Sequence, residues 1–173
     1  MQNSISYCII NMIYKKIAII FEVKMKVALG CDHGGIVLKE SVVNTLKSFG
    51  AEIVDFGTVS TESVNYPVFA LNVAKAVASG DCEYGVLLCG TGIGMSIAAN
   101  KVKGIRAAVV SDLFSAKATK EHNNANIITM GGRIISPEYA KLILTEFFEA
   151  KFQGGRHQNR INLISEIEDE YFK

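Results

Sequence analysis

The sequence has no excess charge of either sign: 18 Lys and Arg stand against 17 Asp and Glu. That balance supplies no global basic field to hold nucleic acid or an anionic membrane, so neither is an expected partner. It also has no uncharged apolar run of the ~20 residues that a bilayer crossing needs. The most apolar stretch, residues 1–24, is broken by Asn11, Lys15, Lys16 and Glu22. Its positive charges fall in the middle of the stretch, and no small-residue cleavage site follows, so no secretory signal is expected. Without one, Cys8, Cys31, Cys82 and Cys89 read as reduced thiols in cytoplasm instead of a disulfide framework. Cys-x-x-Cys and His-x-x-x-His pairs are both missing, which leaves a metal site without ligand spacing; no metal or other cofactor is expected. No repeat, low-complexity tract or Pro/Ser-rich linker divides the chain. Residues 25–173 therefore read as one domain. Residues 1–24 read as an extension with no assigned function: an added strand, a tail, or sequence ahead of a true start at Met25.

What is present is an apolar fraction of 49% in 173 residues, enough for a real core and incompatible with disorder. From Lys26 on, short apolar runs alternate with longer stretches of helical spacing. Strands are expected at 26–30, 51–56, 84–89, 105–110 and 127–130. Helices are expected at 36–49, 67–79, from within 90–95 to about 101, 112–121, 137–150 and 157–171. Pro67 and Pro137 suit first helical positions, and Ser136 suits a cap. Five strands, each followed by a helix, imply an α/β fold: a three-layer α/β/α sandwich with a five-stranded parallel sheet, Rossmann-like. Such sheets bind ligands beyond the carboxyl ends of their strands. Those ends carry Cys31-Asp32-His33-Gly34-Gly35, Cys89-Gly90-Thr91-Gly92-Ile93-Gly94 and Gly131-Gly132-Arg133.

The glycine loop 90–94 lies between a strand and a helix, where backbone N–H groups favour an anion. It lacks the Gly-Lys-Ser/Thr of a Walker loop and the spacing of a dinucleotide loop. A tight turn for close packing explains it equally well. Cys89 ends a strand just before the loop. A strand cysteine is usually a small buried hydrophobe, but near a helix N-terminus a thiol can ionise and serve as nucleophile, metal ligand or base. Cys31 shares that end of the sheet, which leaves a Cys31–Cys89 disulfide open. Cys82 falls at the opposite end. His33, His122 and His157 all lie in polar, glycine-adjacent or helix-end segments instead of apolar stripes. Arg156 and Arg160, four apart, share a helix face; with His157 and Arg133 they would make a phosphate fork, and alone they read as a solvated face.

Taken in order, several motifs resemble the type B ribose-5-phosphate isomerases, whose relatives include galactose-6-phosphate isomerase subunits. The carriers are Gly30-Cys31-Asp32-His33-Gly34, Tyr66-Pro67, Cys89 to Gly94, Ala98-Ala99-Asn100-Lys101, Gly104-Ile105-Arg106-Ala107, Glu121-His122-Asn123 and Gly154 to Arg160. The resemblance spans Met25 to about Glu168. It implies a metal-free aldose–ketose isomerisation of a phosphorylated sugar through an enediolate. It also implies a homodimer, sometimes paired into a tetramer, with active sites shared between subunits. By this resemblance Cys89 takes the place of the proton-transferring base, His122 that of the ring-opening group, and Asp32 that of a sugar-binding partner. Thr91 and the amides of Gly90, Gly92, Ile93 and Gly94 fall where the enediolate is stabilised. Asn123 falls on the sugar, Tyr66 beside the pocket, and His33, Arg133, Arg156 and Arg160 around the phosphate.

Those roles make chemical sense. Removing a proton beside a carbonyl builds negative charge on oxygen, and preorganised N–H donors there are worth ~3–4 kcal/mol each. A thiolate is a suitable base, and histidine titrates in the range that ring opening needs. Two departures stand out: Met95 occupies the place where one branch carries a glutamate, and Asn65-Tyr66-Pro67 replaces a frequent Asp-Tyr-Pro. Ribose 5-phosphate is the expected substrate, with a hexose 6-phosphate (allose or galactose) as the near alternative. A non-catalytic sugar-phosphate-binding module would have no need of Cys89 or His122, and a thiol redox protein would show Cys-x-x-Cys.

Overall fold

The structure, a computed structural model, describes residues 25–172; the readings of residues 1–24, Cys8 among them, lie outside the described residues. All five anticipated strands form: β1 (Lys26–Cys31), β2 (Glu52–Asp55), β3 (Tyr84–Cys89), β4 (Ala107–Val109) and β5 (Ile127–Gly131). They pair in parallel in the order β2-β1-β3-β5-β4. Between and after them run α1 (Ile36–Ser48), α2 (Tyr66–Ala78), α3 (Ile93–Ala99), α4 (Leu113–Asn123), α5 (Pro137–Glu149) and α6 (Arg156–Tyr171). This is the expected three-layer α/β/α sandwich.

Local chemistry explains where the helices start. Ser136 accepts a hydrogen bond from the Tyr139 N–H at 3.2 Å, with Pro137 at the first helical position. Asp112 accepts from the Ser115 N–H at 2.7 Å and so caps α4. Each satisfies a backbone donor that the first helical turn leaves without a carbonyl.

Strand alternation then divides the core in two. Val27, Leu29 and Cys31 of β1, with Val86 and Leu88 of β3, pack under α1 and α5. Ala28, Leu87 and Cys89 turn to the other face, against Ala70, Val73 and Ala74 of α2 and Met95 and Ala99 of α3. Cys31 is registered opposite Leu88, so the Cys31 and Cys89 side chains leave opposite faces of the sheet. No disulfide joins them: among the described residues Cys31, Cys82 and Cys89 are free. None of the helices among the described residues is long and apolar enough to cross a membrane.

Candidate active site

The chain leaves β1 toward β2 on one side, whereas β3 and its further neighbours lie on the other, which makes the β1/β3 boundary the switch point of the sheet. Three strand ends converge beside it. After β1, the Asp32 carboxylate accepts from the Gly34 N–H at 2.8 Å and the Gly35 N–H at 3.1 Å, which holds the turn and leaves Asp32 only 5% exposed. His33 follows, and its Nδ1 accepts from the Val64 N–H at 3.3 Å.

After β3 the glycine loop doubles back over its own cysteine. The Gly92 N–H donates to Cys89 Sγ at 3.0 Å, an arrangement suited to negative charge on sulfur. Gly92 sits at φ +80°, a conformation that L side chains rarely adopt. The hydroxyl of Thr129 on β5 pins the loop by donating to the Gly92 carbonyl at 2.9 Å. Thr91 Oγ1 accepts from the Ile93 N–H at 3.3 Å. The first α-helical bond of α3 runs from Ser96 N–H to Gly92 O at 3.1 Å, so the Gly94 and Met95 amides lie ahead of it, as helix-start donors do.

After β5, the Gly132 and Arg133 N–H groups bond to the Cys89 and Gly90 carbonyls at 2.8 and 3.0 Å. The Arg133 guanidinium thereby lies over Gly90, 3.4 Å from where a Cβ would stand. The Tyr66 ring closes the other side so tightly on Gly94 that an added Cβ would come within 2.7 Å of it. A cleft of about 220 Å³ results, lined by Asp32, His33, Tyr66, Cys89, Gly90, Thr91, Gly94 and Arg133. Gly92 caps α3 and Ile93 opens it, next to the cleft but not among the residues that line it. Met95 is fully buried in the core. Larger hollows elsewhere have less chemistry: the groove of about 410 Å³ between α1 and α5 is lined by Glu40, Ser41, Lys141 and other residues with no cysteine or histidine among them.

Cys31 lies at the same sheet end without belonging to the cleft. Burial, followed by the nearby Asp32 and Asp55 and opposed by Lys39, pushes its thiol up to about 12. Its Sγ donates to the Asp32 carbonyl at 3.1 Å.

The remaining candidates lie elsewhere. α4 runs back across the sheet, and Asn126, just beyond it, pairs with Gly85 at the start of β3. Gly85 and Cys89 are four positions apart along β3, so this end of the sheet is ~13 Å from the cleft. Here the His122 ring stacks on His157, with centroids 4.4 Å apart and planes 6° from parallel. The Gln153 N–H donates to the Glu121 carbonyl at 3.0 Å and seats the start of α6 beside them. Arg156, Arg160 and Asn123 are exposed around the stack. His157 is 5% exposed, and its Nδ1 has no hydrogen-bond partner among the described residues. Burial, then the charges of His122, Arg156 and Arg160, hold its imidazole below the usual histidine range. Within one chain, then, the fork of Arg133 with His157, Arg156 and Arg160 does not form. Spacing had shown His157 only as a possible fork member, and no sequence signal marked its stack with His122. Among the described residues no group of three or more His, Cys, Asp or Glu side chains gathers as a metal site would.

Fold and cleft together define an open-sheet α/β protein with a polar cleft at its switch point. The ribose/galactose isomerase family model matches residues 27–164. Ribose-5-phosphate isomerase B of Escherichia coli (strain K12) is 47% identical over 143 residues, 83% of this chain and 96% of that protein. The galactose-6-phosphate isomerase subunit LacB of Clostridium acetobutylicum is 43% identical, covering 79% of each. The solved structure of Clostridium thermocellum ribose-5-phosphate isomerase B superimposes with a TM-score of 0.83 at 50% identity, covering 85% of this chain and 99% of that one. The chain belongs to the ribose/galactose isomerase family, and it is an isomerase.

Proposed function

We propose that this isomerase interconverts ribose 5-phosphate and ribulose 5-phosphate through an enediolate, with Cys89 as the base. The observation that carries the reading is the Gly92 N–H aimed at Cys89 Sγ from 3.0 Å, within a cleft that also holds Arg133 and His33. The Cys89 thiolate takes the proton from the second sugar carbon, and the electron pair left behind makes the first oxygen anionic. Thr91 and the Gly90 and Gly94 amides face that charge, while the Gly92 N–H is held by the sulfur and the Ile93 N–H by Thr91 Oγ1. The sulfur returns its proton to the first carbon while the second hydroxyl gives its proton to the first oxygen, leaving a ketose. Asp32 holds sugar hydroxyls, Tyr66 walls the pocket, and Arg133 and His33 hold the phosphate. The chemistry calls on no cofactor.

His122, which opens the furanose ring, Asn123, which binds sugar, and Arg156 and Arg160, which complete the phosphate fork, come from a second copy of the chain. Their position ~13 Å or more from their own cleft supports this, as do the exposed Ile93 and Ile97 on α3 and Leu163, Ile164 and Ile167 on α6. The working unit is a homodimer, able to pair into a tetramer, in a cytoplasm that keeps its thiols reduced. The likeness to a galactose-6-phosphate isomerase subunit favours a second reading, a hexose phosphate. Having both Cys89 and His122 fits a self-sufficient enzyme. Comparing kcat/KM for ribose 5-phosphate with that for allose and galactose 6-phosphates, chelator present, tests the assignment. Ribose 5-phosphate is expected to be preferred, with the rate unchanged by chelator. Preference for either hexose phosphate, or loss of rate in chelator, would contradict it.

A further inference from the structure

We propose that the loop between β2 and α2 is a strap that fixes which nitrogen of His33 carries the proton, and that Lys39 is the positioning residue that holds the strap. The proposal rests on the reading of His33 as a phosphate-binding group. Residues 57–64 have no regular secondary structure, yet hydrogen bonds tie them down along most of their length. Lys39 on α1, with a side chain only 16% exposed, lies 2.8 Å from Asp55 Oδ2 at the end of β2 and donates to the Thr58 carbonyl at 3.2 Å. The other Asp55 oxygen accepts from the Gly57 N–H at 2.8 Å, and the Thr58 N–H donates to the Cys31 carbonyl at 2.8 Å. Two local turns follow: Ser60 N–H to Thr58 Oγ1 and Glu62 N–H to Ser60 Oγ, each at 3.0 Å. The run ends on the Val64 N–H, which donates to His33 Nδ1. A nitrogen that accepts carries no proton, so the neutral ring keeps its proton on Nε2. His33 thus offers the cleft a fixed N–H donor for a phosphate oxygen. A free ring would divide its proton between the two nitrogens and lose that donor part of the time.

Nitrogen-detected NMR of the neutral His33 ring in the unaltered protein gives the first test: the Nε2–H tautomer is expected, and the Nδ1–H tautomer would overturn the proposal. Val64→Pro removes the single N–H involved. In that variant and in Lys39→Met, KM for ribose 5-phosphate and the inhibition constant of inorganic phosphate should both rise by roughly threefold to tenfold, as the loss of one ligand hydrogen bond implies. kcat should hold, the His33 tautomers should mix, and Lys39→Arg should restore the parent values. If Val64→Pro does not fold, the lysine pair carries the test, since its rescue separates positioning from general stability. Parental KM, phosphate inhibition and tautomer in a folded Val64→Pro, or in Lys39→Met, would overturn the strap. His33→Ala tests the underlying reading: phosphate inhibition unchanged there would overturn phosphate binding and with it the strap's role. Weakened inhibition in His33→Ala alongside an unaffected Val64→Pro would overturn the strap alone.

Discussion

Cys89 and Cys31 end neighbouring strands with the same side chain but in different surroundings. Cys31 points into the core beneath α1, where burial pushes its thiol up to about 12 and keeps it protonated at any physiological pH. Cys89 points to the other face, at the mouth of the cleft, with an N–H directed at its sulfur. Replacing each in turn separates the proposed base from a packing residue. Cys89→Ala should lower turnover by roughly 10²–10⁴-fold, the usual worth of a general base, while calorimetry still detects sugar-phosphate binding. Cys31→Ala should keep its turnover and lose about 1 kcal/mol of stability in a denaturant titration, as small core truncations do. Retained turnover in the Cys89 variant would remove the proposed base.

At the scale of elements, most of the architecture was legible because the local signals agreed. Ser136-Pro137 starts its helix as a cap does, and the apolar runs at 26–30 and 84–89 became the central strands; Asp112, expected inside its helix, instead caps it. The edge strand β4 came out shorter than its apolar run suggested, for a visible reason. The Asn100 carboxamide bonds both backbone groups of Ala107 at 2.8 Å, and Asn126 Oδ1 accepts from the Arg106 N–H at 2.8 Å. Side chains thus take the backbone groups at its start, a competition that hydrophobic spacing cannot show. Nor does spacing show that Lys120, on an ostensibly polar helix, is buried against β3 and α5. Its Nζ donates to Tyr84 Oη at 2.8 Å and lies 4.0 Å from the centre of that ring. Burial, reinforced by Arg106 and opposed by Glu83, lowers its ammonium from the ordinary 10.5 to about 8. Between pH 8 and 10 the unfolded chain therefore holds the proton more than the folded one, and stability should rise with pH. Above pH 10 the Tyr84 phenol, pushed up to about 12 by burial, works in the opposite sense. Thermal melts of Lys120→Met should show that rise flattened from pH 8 to 10; a slope equal to the parent's would contradict the buried-charge account.

For the whole molecule, the decisive fact is the one that motif order conceals. The sequence places Cys89 and His122 in one ordered set of motifs, whereas the sheet holds them at opposite ends because α4 runs back across it. The insertion of β5 between β3 and β4 brings Arg133 to the cleft and leaves Arg156 and Arg160 behind with His122. Motif order carries no information about which copy of the chain supplies each part. The proposed sites are completed by a second copy of the chain, and mixing two damaged chains tests this most directly. Cys89→Ala and His122→Ala should each be nearly inactive alone. Unfolded together in equal amounts and refolded, they should recover about one quarter of the parent turnover, because half of the symmetric dimers become mixed and each mixed dimer has one intact site. A mixture no more active than its components, with mixed dimers verified by mass, would contradict the shared site.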